Sequence, residues 1–331
     1  MPLISVLTSC FNAAEFLRES IDSVLVQSFR DFEYLLVDDG SSDETLEILK
    51  EYAARDPRII VISKNHSGLT DSLNLGLQRA RGAWVARLDT DDVALPERLE
   101  RQLAFMRNRP EIILLGSGAW EMDRLGHLIR SNSYPGEHDL LIKKLEHLER
   151  FFSHSSAFFS RWHALHLGGY RPRMILTEDW DLWLRMGSFG KIACLREPLV
   201  KLRIHSASIS HQDGHRTQLF MGVAATICHL RKSLGHSDPA ELEPEQWQQF
   251  LDWLEKKQEF EDCFQTLKAR QSLRMAWYDH SKNSRMGRLK RLGRFAQRLT
   301  AQPRSLEILR QRLWGTDLAF RLAEESIQIF P

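Results

Sequence analysis

The sequence predicts an α/β fold, a mostly parallel sheet covered by helices, followed by a helical C-terminal extension. Three observations predict it. Short apolar, β-branched runs alternate with segments of helical period through the first hundred residues. Polar or acidic residues follow three of those runs. From about residue 216 the period is helical almost to the end.

The elements follow in order. Ile4 to Thr8 is a buried strand, and Leu17, Ile21, Val24 and Leu25 then recur at helical spacing. Tyr34 to Val37 is a second strand. Ser41 and Glu44 form a capping-box pattern that starts a helix carrying Leu46, Leu49 and Ala53. Ile59 to Ile62 is a third strand. The helix of Leu69, Leu73, Leu77 and Ala80 follows and ends at Gly82. Ala83 to Leu88 is a fourth strand. Pro96 sits at the first turn of a helix with Leu99, Leu103 and Met106, and Ile112 to Leu115 is a further strand. Residues 130–210 are less regular and rich in aromatics and histidines. Residues 215–331 form a helical, basic region, broken at Gly235 to Pro244, after an α/β domain over 1–214.

Composition narrows the class. The 331 residues are 43% apolar and 27% charged, as in an ordinary globular protein, and suffice for one large α/β domain plus a smaller unit. A net charge of +1 does not point to nucleic acid as a partner. Cys10, Cys194, Cys228 and Cys263 lie far apart with no CxxC pair, which argues against a zinc site and for reduced thiols in a cytoplasmic protein. The chain lacks a charged n-region with an apolar h-region, so no signal peptide is expected. No apolar run reaches the roughly 18 residues of a membrane span, so membrane contact would be peripheral.

In an α/β sheet, ligands bind outside the carboxyl ends of the strands. Asn12 follows the first strand, Asp38 and Asp39 the second, and Asp89, Asp91 and Asp92 the fourth. Three carboxylates in four residues repel one another unless a cation sits among them, and oxygen ligands suit magnesium or manganese. A solvated acidic turn capping the next helix is the competing reading. In Asp38-Asp39-Gly40-Ser41, a carboxylate can accept from a base N–H or ribose hydroxyls, or the run can simply turn the chain into a helix. Thr177 to Arg185 reads as an amphipathic helix whose N-terminal acids complement its dipole, or as one that places a general base in a cleft.

These motifs together resemble the family-2 glycosyltransferases, which have the Rossmann-like GT-A fold. The resemblance covers roughly residues 3–210. It rests on Ser5-Val6-Leu7-Thr8-Ser9-Cys10-Phe11-Asn12, Gly68 through Asn74, Gly76 to Gly82, and Arg87-Leu88-Asp89-Thr90-Asp91-Asp92. Gly168-Gly169-Tyr170, Glu178-Asp179, and His205-Ser206 with Ser208 and Ser210 complete it. The family usually has Pro-x-Tyr-Asn where this chain has Ser9-Cys10-Phe11-Asn12, which removes any contact from a tyrosine hydroxyl.

The resemblance implies an inverting, metal-dependent transferase that moves a sugar from a nucleotide-diphosphate donor, a UDP-sugar, to an acceptor hydroxyl. Asp39 would hold the base, with Asp38 near the ribose and Thr8 and Asn12 in the same nucleotide-sugar site. Asp89 would contact the nucleotide sugar or metal-bound water, and Arg87 a phosphate. Asp91 would ligate Mn²⁺ or Mg²⁺, with His205 a further metal or diphosphate contact. Asp179 would be the catalytic base, with Glu178 beside it on the acceptor side, and His154 would line the sugar site. The acceptor would be a glycan or lipid-linked glycan of the cell envelope or surface.

Two other functions are open on the same fold class. A sugar-nucleotide nucleotidyltransferase would carry a Gly-rich, Arg/Lys-bearing loop after the first strand, where this chain has Asn12-Ala13-Ala14-Glu15. A non-catalytic glycan-binding or scaffold protein would not need Asp39, Asp91 and Asp179 together. Between Ser281 and Arg312 stand ten Lys/Arg residues and one acid, Glu307, with Met286, Leu289, Leu292, Phe295 and Leu299 at near-helical spacing. Such a basic amphipathic stretch suits a peripheral contact with the inner membrane face through 281–331, a helix packed on the protein, or an anionic partner.

Overall fold

The computed structural model describes residues 1–205, 216–261, 264–265 and 316–330. The basic stretch 281–312, the Ser206–Ser210 end of the closing motif and Cys263 lie outside the described residues. The chain folds as two compact units, Met1–Ser210 and His211–Pro331.

The first unit is built on one sheet. Its strands are β1 (Ile4–Cys10), β2 (Phe32–Asp38), β3 (Ile59–Ser63), β4 (Trp84–Arg87), β5 (Val93–Ala94), β6 (Ile112–Met122), β7 (Leu128–Asn132), β8 (Phe158–Ser160) and β9 (Lys191–Arg203). Their order is β3-β2-β1-β4-β8-β6-β9-β5, with β7 paired to β6. The half β3-β2-β1-β4 is parallel, in the register Cys10 opposite Asp38 and Leu7 opposite Arg87. The other half is mixed. Strand β8 enters antiparallel between β4 and β6, whereas β6 and β9 run parallel.

Side chains alternate across the sheet and divide its core in two. Ile4, Val6, Tyr34 and Leu36 face one cluster, completed by α1 (Ala14–Leu25), α2 (Thr45–Arg55) and α4 (Arg98–Met106). Leu7, Leu35 and Val37 face the other, completed by α3 (Leu69–Arg79), α5 (His138–Glu146), α6 (Arg161–His166) and α7 (Glu178–Phe189). Helix α3 approaches β1 closely, because a Cβ on Gly76 would overlap Leu7 Cδ1.

Three local expectations are corrected. No capping box forms at Ser41, because α2 begins only at Thr45. The Ser41 hydroxyl accepts instead from Asn12 N (3.0 Å), while Asp43 accepts from Thr45 N (3.0 Å). Pro96 lies ahead of α4 rather than in its first turn, and its carbonyl accepts from Ser28 N (2.8 Å). Helix α3 stops at Arg79, so Gly82 does not cap it. A Cβ on Gly82 would come within 2.5 Å of Ser5 N, so the chain passes close to β1 there.

In the second unit, α8 (Arg216–Ser233) is followed by a 3-10 turn at Pro239–Glu241, then α9 (Pro244–Glu255) and α10 (Thr316–Ile329). The buried Arg231 guanidinium donates to Ser237 O (2.9 Å), Ser237 Oγ and Ser326 Oγ (both 3.1 Å), and Phe330 O. Among the described residues no helix is long and apolar enough to cross a membrane.

Candidate active site

The acidic turn after β4 is ordered from beneath. Arg87 is fully enclosed, and its guanidinium donates to Leu88 O and pairs with Asp89 Oδ1. Its Nε is buried and has no hydrogen-bond partner among the described residues. Burial opposes the Asp89 charge, but the Arg87 guanidinium holds its pKa below the ordinary value. The Arg87 guanidinium has no exposed surface, so any effect on a phosphate would run through Asp89.

Ser155 lies in the 3-10 turn His154–Ser156 and is 1% exposed. Its Oγ accepts from Asp89 N (3.0 Å) and lies 2.8 Å from Asp89 Oδ2 and 2.5 Å from Asp92 Oδ2. A hydroxyl has one proton to give, so one carboxyl must supply the second. Of the two, Asp92 is the one whose surroundings favour the protonated form. Burial, then the charges of Asp91 and Asp89, push its pKa well above the ordinary value.

Asp91 faces the other way. Its Oδ2 lies 2.9 Å from His205 Nε2, and both side chains keep some exposure (26% and 14%). Burial, then the Asp89 charge, raise the Asp91 pKa. His205 is delivered by the end of β9, which Arg203 clamps to the turn. Arg203 N donates to Asp92 Oδ1 (2.9 Å), its Nε to Asp91 O (3.0 Å), and its Nη2 pairs with Glu19.

The second carboxylate pair opens α7. The turn before it is fixed by Asn74, which donates to Tyr170 O (2.7 Å) and accepts from Tyr170 N (2.8 Å). Gly169 is required there: its φ is +71°, and a Cβ would lie 2.5 Å from Asn74 Oδ1. Arg185 ties the turn to α7, donating to Leu167 O and Gly169 O (each 2.8 Å) and pairing with Asp181 (2.6 Å). Tyr170 in turn places its hydroxyl 2.9 Å from His154 Nε2.

At the head of α7, burial and then the Asp179 charge push the Glu178 pKa up to about 8. Burial raises that of Asp179 to about 6, with the Asp89 charge adding to it. Asp179 Oδ1 accepts from Trp180 N (2.7 Å). Burial, then the Arg87 charge, lower His154 to about 3, so its ring is neutral.

The third part lies past β1 and β2. Asp39 is 1% exposed, and its carboxylate accepts from Ser67 N (2.9 Å) and Gly68 N (2.8 Å). It also pairs with Lys64 and with His66 Nδ1 (2.9 Å). Burial opposes its charge, but these hydrogen bonds hold its pKa below the ordinary range. Gly40 (φ +70°) lets this loop close, since a Cβ would lie 2.8 Å from His66 N. Asp38 turns inward to Ser41 N (3.3 Å) and Ser63 Oγ (3.2 Å). Asn12 (φ +47°) accepts from Ser42 N (2.8 Å) and so joins the two strand-end loops. The Phe11 and His66 rings stack above them, 4.2 Å apart. Thr8 is wholly buried and donates to Leu88 O (2.7 Å).

Among the described residues no group of three or more His, Cys, Asp or Glu side chains gathers as a ready metal cage. A magnesium-type site does not need one, because it commonly uses one or two carboxylates plus substrate phosphates and water. Asp91 and His205 fit that description. Their oxygen and nitrogen meet in a partly open position, and a cation there would favour the Asp91 charge against the burial and the Asp89 repulsion that raise its pKa.

Sequence reading did not single out Ser155, Arg203, Lys64 and His66, which hold these groups in place. Ser155 stood beside a noted residue, His154, and Arg203 two residues before His205. A serine or arginine carries no motif when its partners are about 65 to 110 positions away in sequence.

Comparisons with known proteins agree with this architecture. The glycosyl transferase family 2 model matches residues 5–165. Amylovoran biosynthesis glycosyltransferase AmsE of Erwinia amylovora is 33% identical over 221 residues, 64% of this chain and 80% of that protein. The S. aureus TarS 1–349 structure in complex with UDP-GlcNAc has a TM-score of 0.53 at 19% identity, covering 74% of this chain and 78% of that one. The Pyrobaculum calidifontis mannosyltransferase PcManGT, in complex with GDP-Man and Mn²⁺, has a TM-score of 0.54 at 15% identity, covering 99% and 87%. The likeness to the two solved structures concerns the fold, and it defines a GT-A-type protein. The sequence match is narrower, and by it the chain belongs to glycosyl transferase family 2.

Proposed function

We propose that this chain transfers a sugar from a UDP-sugar to a hydroxyl of a glycan or lipid-linked acceptor, with inversion, in polysaccharide synthesis. One observation carries the reading. The 3-10 turn His154–Ser156 links the two acidic groups: Ser155 Oγ meets Asp89 and Asp92, and His154 Nε2 lies 2.9 Å from the hydroxyl of Tyr170, in the turn that leads into α7 and Asp179. The UDP-GlcNAc of the TarS complex supports the donor class, and the amylovoran relative supports a biosynthetic role.

In this reading Asp91 and His205 hold Mn²⁺ or Mg²⁺, which when bound supplies positive charge to the departing diphosphate. Asp89, fixed by Arg87 and Ser155, contacts the nucleotide sugar. Asp39 meets the base, for which a Lys64 or His66 contact must yield, and Asp38 and Asn12 shape the loops around the ribose. Asp179 accepts the proton of the acceptor hydroxyl. The acceptor oxygen bonds to the anomeric carbon as the bond to the diphosphate breaks, and the electron pair leaves with the diphosphate. Glu178, with a pKa of about 8, stays protonated at neutral pH and can donate a hydrogen bond on the acceptor side.

The test is Asp179→Asn. Calorimetry should find UDP affinity near wild type, while transfer falls about 10²–10⁴-fold, the usual general-base contribution. Wild-type activity should rise with pH through about 6 as Asp179 ionises. Loss of UDP binding in the variant would place Asp179 in the donor site instead.

A further inference from the structure

The three aspartates of the turn do not face the same way, and one side chain separates them. Asp92 is tied inward between Ser155 Oγ (2.5 Å) and Arg203 N (2.9 Å). Asp89 is held between Ser155 Oγ (2.8 Å) and Arg87. Asp91 alone meets His205. The Ser155 hydroxyl is the group that the first two share, and it also accepts from the backbone of the turn at Asp89 N (3.0 Å).

Its own position is over-determined. Ser156 next to it takes an N–H from Ser117 (3.3 Å) on its hydroxyl and an amide N–H from Gln102 (2.8 Å) on its carbonyl. His154 before it meets Tyr170. The 3-10 turn is thus anchored to β6, to α4 and to the turn that precedes α7. A rigidly held hydroxyl that meets two of the carboxyl groups constrains where the third one points.

We propose that Ser155 is a positioning residue for the divalent-cation site. It fixes Asp89 against Arg87 and holds Asp92 inward, and so leaves Asp91 and His205 as the pair presented to the ion. The proposal rests on the metal-dependent donor binding put forward above. Groups that orient first-sphere ligands typically change metal affinity by about 10–100-fold when removed. A side chain that only fills space would not.

The experiment uses the full chain and calorimetric titration of Mn²⁺ in the presence of UDP. Ser155→Ala should weaken Mn²⁺ binding about 10–100-fold, with a melting temperature in chelator close to wild type. Ser155→Thr, which keeps the hydroxyl, should recover most of the affinity. If Ser155→Ala does not fold, Ser155→Cys, close in volume but a poor donor, serves in the same contrast with threonine. Wild-type Mn²⁺ affinity in the hydroxyl-free variant, or a threonine variant no better than it, overturns the positioning role alone. A wild-type chain that binds UDP equally in Mn²⁺ and in chelator overturns the metal reading, and this proposal with it.

Discussion

Glu178 should make the protein less stable as pH rises, and Glu178→Gln should remove that loss. The side chain is 6% exposed at the head of α7. In the unfolded chain it titrates near 4.5; in the folded chain burial and the Asp179 charge move it to about 8. Below pH 4.5 both states are protonated and Glu178 costs nothing. Between 4.5 and 8 the unfolded state releases a proton that the folded state retains, so stability falls with rising pH. Above 8 both are ionised and the loss levels off. At about 1.36 kcal/mol per pH unit, the ceiling is about 5 kcal/mol. The helix N-terminus favours the charge and cleft water relaxes around it, so the expected difference is on the order of 1–3 kcal/mol. The assay is urea unfolding of wild type and Glu178→Gln at several pH values from 4.5 to 9. The variant should match wild type at the acid end and exceed it progressively toward pH 8. A difference that is constant across the range, or one that shrinks with pH, would refute burial as the origin of the shift.

Other outcomes follow from the same geometry. Asp91→Asn should abolish Mn²⁺-dependent UDP binding and nearly abolish transfer, and full wild-type activity in excess chelator would contradict the assignment. Gly76→Ala should destabilise the first unit by roughly 1–3 kcal/mol in a denaturant melt, because its methyl group overlaps Leu7 in a closed core. Residues 281–331 should carry the chain down with anionic vesicles at low salt and not with neutral ones, and truncation should abolish it. Failure to pellet at low salt would leave the basic stretch with another role.

The sequence by itself determined the parallel half of the sheet and the chemistry at its edge. Ile4–Cys10, Phe32–Asp38 and Trp84–Arg87 are largely buried runs, each followed within two residues by a polar or acidic one, and helices with one apolar stripe lie between them. These are local properties, legible without knowing any partner. The same holds for Asp89-Thr90-Asp91-Asp92 and Glu178-Asp179, whose charge density stands out in a few positions. Strand β8 was not legible. It is three residues long, its antiparallel place between β4 and β6 is set by partners some 45 to 75 positions away, and the short run Phe158–Ser160 has no period to detect. The division of labour among the aspartates was legible only through the family resemblance, which pointed to Asp91, because nothing local distinguishes Asp92 from Asp91. Tertiary structure decided it, by closing Ser155 and the Arg203 backbone over Asp92 and leaving His205 to Asp91. A carboxylate's role depends on which donors surround it, and those donors arrive from other strands only when the sheet has formed.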